Sequence, residues 1–210
     1  DPFLETIEKI ENGFEENRKT VINVLIFFVA IIITGSIYVN NQNDIELESS
    51  SAFGAALVAY SNSDYDNAKF QFESISSNYE GTENEIFSNY YLGRIAYELG
   101  KFDEAKFLLN DFLDNTEKAT FVCGAIKRLV DISFNENDFL KSLDIIATAN
   151  NFDINNASRL ELKLLKINTL IKMNDLKGAK TEVEKILNSK NLPSHINQKI
   201  NEFEGLLSAL

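Results

Sequence analysis

The residues that most readily suggest catalysis are Ser194 and His195, neighbours in "LPSHINQ". A serine nucleophile needs an imidazole brought to its hydroxyl by the fold and oriented by a third group. Sequence neighbours do not meet in that way. His195 is the chain's one histidine and reads as an exposed first-turn residue. Cys123, the one cysteine, lies in "TFVCGAI" on the apolar side of an expected helix and reads as a buried small hydrophobe. A single cysteine excludes an intrachain disulfide. Glu15–Glu16 and Asp103–Glu104 read as solvated helix faces. There is no C-x-x-C, no H-E-x-x-H and no Walker glycine loop. The sequence therefore offers no catalytic constellation, no metal-ligating set and no cofactor motif, and the expectation is a non-enzyme. What remains is binding chemistry. Tyr60, Tyr97, Phe134 and Ile171 form a column that recurs every 37 residues. If exposed, such rings suit an apolar or extended polypeptide, with tyrosine hydroxyls adding polar contacts. The alternative is that the column packs between repeats.

The column needs helices to hold it. In "LGRIAYELGKFDEAKFLL", Leu92 to Leu109, Gly100 falls in a turn between two helices, where positive φ is easy. Gly93 falls where those helices press together. The pattern recurs at about 37 residues. Ala68, Ala105, Ser142 and Ala179 are the small residues of the second helices, and Phe72, Leu109, Ile146 and Val183 follow four positions later. The turn column reads Ser63, Gly100, Asn137, Asn174, and Asp64, Asp138 and Asp175 suit helix N-caps, with Lys101 breaking that register. The spacing predicts helix pairs at about 49–61 with 65–78, 84–99 with 102–114, 119–135 with 138–150, and 156–173 with 176–189. Pro193 stops the preceding element. Ser194 is a candidate N-cap for a closing helix, whose Ile196, Ile200, Phe203 and Leu207 share one face. The fold class is all-α, an α-solenoid of about four helix pairs with a C-terminal cap.

Composition sets outer limits. A net charge of −12 argues against a nucleic-acid partner, because phosphate binding needs a basic surface. Val21 to Val39, "VINVLIFFVAIIITGSIYV", carries no charge and is long enough, at roughly 28 Å, to span a bilayer as a helix. It is too long for a signal-peptide core and is followed by no A-x-A-like site. Arg18 and Lys19 precede it, and "NNQNDIELESS" after it has acids and no base. The basic flank places the N-terminus in the cytoplasm and the rest outside it, in the periplasm of a bacterium. The expected organisation is a cytoplasmic amphipathic segment (1–20, with Phe3, Leu4, Ile7, Ile10 and Phe14 on one side), a transmembrane helix (21–39), an acidic linker (40–48) and the repeats (49–210).

The repeats resemble the tetratricopeptide repeat. Leu92, Gly93, Gly100, Phe102 and Ala105 stand at that family's spacing, with Ala96 in place of its usual tyrosine. The first unit matches through Ala56, Tyr65 and Ala68. The third and fourth carry Val130 and Ile167 where the family has a small residue, so a looser helix crossing is expected there. The resemblance implies a concave groove lined by Phe53, Leu57 and Tyr60, by Phe87, Tyr90, Arg94 and Tyr97, by Lys127, Asp131 and Phe134, and by Leu164, Asn168 and Ile171. The basic and asparagine set that clamps a C-terminal carboxylate in some members is absent, since Phe53 and Leu57 occupy its first positions. The whole layout further resembles the YfgM-like family, ancillary subunits of the bacterial SecYEG translocon. That resemblance implies a single-pass inner-membrane protein whose partners are translocon subunits, a periplasmic chaperone or exported polypeptides. The rival readings are an envelope scaffold that links membrane complexes in division or outer-membrane assembly, and an organelle import receptor with its array in the cytosol.

Overall fold

A computed structural model describes residues 18–189 and 192–209. Nearly all of the expected amphipathic segment, at 1–17, lies outside the described residues. Among those described, the chain is helical throughout, with α1 (Arg18–Ser61), α2 (Tyr65–Asn78), α3 (Glu83–Glu98), α4 (Phe102–Asn115), α5 (Val122–Asn135), α6 (Phe139–Ala147), a 3-10 turn (Thr148–Asn151), α7 (Asn156–Lys172), α8 (Leu176–Leu187) and α9 (Ser194–Ala209). The chain forms two compact units, Asp1–Glu48 and Ser49–Leu210, and their boundary falls within α1.

In the first unit, the run at 21–39 is helical in backbone. Among the described residues no helix is long and apolar enough to cross a membrane. The expected transmembrane helix is therefore not found there; within the run, side chains are described at Asn23 and at 27–32 alone. Of these, Phe27, Phe28, Val29, Ile31 and Ile32 are exposed. The linker expected at 40–48 is corrected outright, because α1 runs through it. "NNQNDIELE" is polar but holds neither proline nor glycine. Extending a formed helix adds a hydrogen bond per residue fixed, whereas breaking it needs a new nucleus.

The second unit is an antiparallel series of pairs: residues 49–61 of α1 with α2, then α3 with α4, α5 with α6, α7 with α8, and α9 closing the series. One turn joins each pair. Ser63, Gly100, Asn137 and Asn174 all have positive φ, between 59° and 72°. In each turn the next residue's amide reaches back five positions, as in Lys101 to the Ala96 carbonyl at 2.8 Å and Asp138 to Ser133 at 2.9 Å. This is the Schellman closure, and it satisfies carbonyls that the helix end leaves open. Asp64, Asp138 and Asp175 then cap the second helices through their carboxylates, while Lys101 makes no side-chain cap.

The small residues of the second helices, Ala68, Ala105, Ser142 and Ala179, are all completely buried. Phe72, Leu109, Ile146 and Val183 pack one turn further along, also buried. At Gly93 a Cβ would lie 2.8 Å from Leu109 Cγ, so α3 and α4 approach as closely as a missing side chain permits. Neighbouring pairs are tied by polar ladders. Asn84 donates to Ser49 and Ser50 at 2.9 and 3.1 Å. Lys69 pairs with Glu104 at 2.9 Å, and Lys106, one period on, pairs with Glu136 at 2.7 Å. Within the fourth pair, Glu182 on α8 accepts from Lys166 at 2.9 Å and Lys185 at 3.0 Å.

Two expectations shift. The third pair starts at Val122 rather than 119, with Phe121 as a left-handed N-cap residue, and its second helix ends at Ala147 before the 3-10 turn. Ser194 is not the N-cap of α9 but its first residue; the Pro193 carbonyl accepts the first intrahelical bond, from Asn197 at 3.0 Å. Ile196, Ile200 and Leu207 are buried, as that helix face requires.

Gly93 and Gly100 should both resist alanine, for different reasons. No atom lies within 4 Å of a Cβ built on Gly100, whose φ is +72°, so Gly100→Ala meets backbone strain alone, costing about 1–2 kcal/mol. Gly93→Ala gains about 1 kcal/mol of helix propensity but overpacks Leu109 at about 1–3 kcal/mol, for a net loss. Urea unfolding of both variants, with Ser63→Gly as a control expected to match or exceed the parent, checks this. A second expectation concerns acid. Burial would raise the Glu182 carboxyl, but the Lys166 and Lys185 ammonium groups outweigh it and hold the carboxyl below its ordinary value of 4.5. Its contribution is therefore complete above that value and lost as pH falls through the lowered one. Glu182→Gln should lower stability at pH 7 by at most about 1 kcal/mol and narrow the gap to the parent below pH 4, measured by thermal unfolding across that range.

Candidate functional site

The repeat that builds the turns also builds an aromatic pair across the first three of the four. Tyr60 meets Tyr65 at 5.6 Å, Tyr97 meets Phe102 at 5.8 Å, and Phe134 meets Phe139 at 5.4 Å between ring centroids. Each ring at the end of a first helix thus rests on the first residue of the second. Arginines from the following pair then cover the tyrosines. Arg94 lies 4.9 Å above the Tyr60 ring, and Arg128 lies 4.7 Å above Tyr97. The column residues Tyr60, Tyr97 and Phe134 are consequently half-buried, and so is Ile171.

The other expected groove residues divide into core and surface. Phe53 and Tyr90 are buried. Phe53 packs edge-on against Phe72 at 5.5 Å and Tyr91 at 5.7 Å. Tyr90 stacks on Phe121 at 4.7 Å and touches Phe112 at 5.3 Å. Neither offers a free ring face, so both belong to the inter-repeat core rather than to an open groove. Phe87 is half-buried and meets both Phe53 and Phe121. Leu57 is half-buried against the same cluster. Lys127 is exposed and paired with Glu161 at 2.9 Å. Asp131 is half-buried, 3.7 Å from Arg128. Leu164 and Ile171 pack on the second apolar cluster, and Asn168 is half-buried.

Burial raises the Tyr90 hydroxyl despite the neighbouring Arg94 charge, so it stays protonated. Burial likewise raises the Asp131 carboxyl, against the pull of Arg128 and Lys127. Cys123 is half-buried rather than fully so, and burial raises its thiol, which disfavours the nucleophilic thiolate. His195 is exposed on α9. Among the described residues no group of three or more His, Cys, Asp or Glu could hold a metal ion.

Arg94 is the unusual member. It faces the rings of Tyr60, Tyr90 and Tyr91, it forms no ion pair among the described residues, and its Nε is buried without a hydrogen-bond partner. Sequence reasoning placed it on the groove but gave no sign of this unmet donor. It also missed Phe121, which adopts φ +66° to stack in the cluster. Phe70 and Phe107 were missed as well; they share one register on α2 and α4 and are both 72% exposed. Their spacing of 37 was the available signal.

Arg94→Met should leave the fold standing. It forfeits cation–π contacts worth about 1–2 kcal/mol. It also removes a buried unsatisfied donor costing about 1–3 kcal/mol, and the thioether regains some ring contact. The net change should stay within about 1 kcal/mol, or a few degrees in Tm, which calorimetry of the parent and variant measures. A loss above 2 kcal/mol would make the arginine a structural keystone instead.

No curated protein matches the chain. The model of the tetratricopeptide repeat-like domain, TPR_21, matches residues 13–201. Paired antiparallel helices, a left-handed turn residue every 37 positions and small residues at the crossings are what that match describes in three dimensions. The chain belongs to the tetratricopeptide repeat-like domain family, a fold of protein–protein interaction that is typically non-catalytic.

Proposed function

We propose that this protein is a membrane-anchored interaction module at the site of protein export. Its span would dock beside the translocon, and its repeats would hold exported polypeptides or a periplasmic chaperone. The observation that carries the binding half is the row of half-buried rings with arginines above them. Tyr60, Arg94, Tyr97, Arg128 and Phe134 recur along consecutive pairs and combine ring faces with cationic donors. Extended chains are well met by such a row, since apolar side chains use the ring edges while carbonyls and acids use the guanidinium groups. Arg94 in particular holds a donor that the fold does not use.

The anchoring half rests on the uncharged run from Val21 to Val39 and the basic pair before it. It is also supported by the exposure of Phe27, Phe28 and Ile32 on helical backbone. Contiguous exposed apolar side chains of that size need a cover, and a bilayer provides one. The flanking charges support an N-terminus in the cytoplasm and repeats in the periplasm of a bacterial inner membrane. A second reading, the envelope scaffold without clients, is favoured by the burial of Phe53 and Tyr90, which leaves the row shallower than an open groove.

Photocrosslinkers placed at Phe28, at Lys127 and at the outward Phe107 in native membranes separate these readings. The export reading expects adducts from position 28 to translocon subunits, and from position 127 to nascent chains or a chaperone. Adducts to other envelope complexes alone, with position 127 silent, would remove it in favour of the scaffold. Protease added to cells with a permeabilised outer membrane should digest the repeats; their protection until the inner membrane is opened would reverse the orientation.

A further inference from the structure

Away from the aromatic row, α6, the 3-10 turn, α7 and α8 line a half-open cavity of about 280 Å³. Ile146, Ile154 and Leu162 are buried in its lining, with Leu143 beside them. An engineered cavity of about 150 Å³ is large enough to hold benzene, so this one has room for a two-ring body. Its polar lining is cationic. Arg159, Lys163 and Lys166 occupy successive turns of one face of α7 and all border the cavity. Glu182 is the one carboxylate in the lining, and it is already shared between Lys166 and Lys185. Lys163 has no ion pair among the described residues. Arg159 is held in place by donating Nε to the Ile154 carbonyl at 3.2 Å and Nη2 to the Phe152 carbonyl at 3.3 Å. Its nearest carboxylate, on the exposed Asp153, stands 3.9 Å away.

A surplus of positive charge around an apolar cavity runs against the chain's net charge of −12. We propose that the cavity binds a small amphiphilic carboxylate. The apolar body lies against Leu143, Ile146, Ile154 and Leu162, and the carboxylate accepts hydrogen bonds from Lys163 and Arg159. A dianionic phosphate without an apolar body would leave the floor unfilled, and a neutral hydrocarbon would leave the cations unmatched. The site is separate from the aromatic row and stands or falls independently of the export reading.

The test uses the full chain in nanodiscs of neutral phosphatidylcholine, titrated with 2-naphthoate and followed by the probe's fluorescence. Saturable binding is expected, weakened about tenfold or more when 2-naphthylmethanol replaces the carboxylate and weakened further by salt. Lys163→Glu, on an exposed helix face, should reduce affinity by a similar factor. Ala147→Trp should abolish binding by filling the cavity from its exposed rim. Circular dichroism melts of both variants establish that they fold. Equal affinity for the alcohol, titration of Ala147→Trp indistinguishable from the parent, or no saturable binding up to millimolar probe would each overturn the proposal.

Discussion

The arrangement depends on a five-residue reversal of the chain, made the same way in each pair. A residue in the left-handed region lets one helix end and the next begin with carbonyls satisfied on one side and, in three of the four pairs, a carboxylate cap on the other. Because the turn has one geometry, the end of the first helix lands on the first residue of the second, and Tyr60, Tyr97 and Phe134 each find an aromatic partner five positions later. Local geometry therefore fixes the spacing of the candidate binding row. In a linear array each pair touches its neighbours, so errors at one turn are not averaged away elsewhere. Non-glycine residues at Ser63, Asn137 and Asn174 show that the chain tolerates the strain where a short polar side chain lessens it.

Between the first and third pairs a set of rings packs among the aliphatic chains of the core. Phe53, Phe72, Tyr90, Tyr91, Phe112 and Phe121 form one continuous set, with Tyr91 stacked on Phe72 at 5.1 Å and Tyr90 on Phe121 at 4.7 Å. Aromatic packing gives each contact more area and a preferred angle, and here it also holds Phe121 in a backbone region that costs about 1–2 kcal/mol. The consequence for function is direct. Rings used to join repeats are not available to a ligand, so the accessible row is narrower than the family register implies. It begins where Arg94 and Arg128 lie over tyrosines that the core only half covers.

The periodic features were legible because they are set by residue type at fixed spacing. Small residues at 68, 105, 142 and 179, the turn column and the three aspartate caps need no tertiary information. Other features depend on what the rest of the chain does. "NNQNDIELE" reads as a linker by polarity, yet polarity alone does not end a helix, and nothing in it does. Phe121 gives no local sign of positive φ, since the gain that permits it comes from Tyr90 and Phe87 more than thirty residues earlier. Whether Phe53 and Tyr90 face a groove or a neighbour was open in the sequence for the same reason. The register fixes which side of a helix they occupy, but the depth to which the next pair covers that side depends on Phe72, Phe112 and Phe121.

The third and fourth pairs differ from the first two at their crossings and in the length of their helices. Gly93 lets α3 meet Leu109 closely, and Ala56 is completely buried in its corresponding place. Val130 and Ile167 fill those positions further along, both fully buried. The cavity beside α7 lies in that later half, where α6 is short and passes into a 3-10 turn instead of continuing along its partner. The same departure from the repeat that removes a helical turn from α6 thus leaves an apolar recess open, and the cations of α7 supply its polar edge.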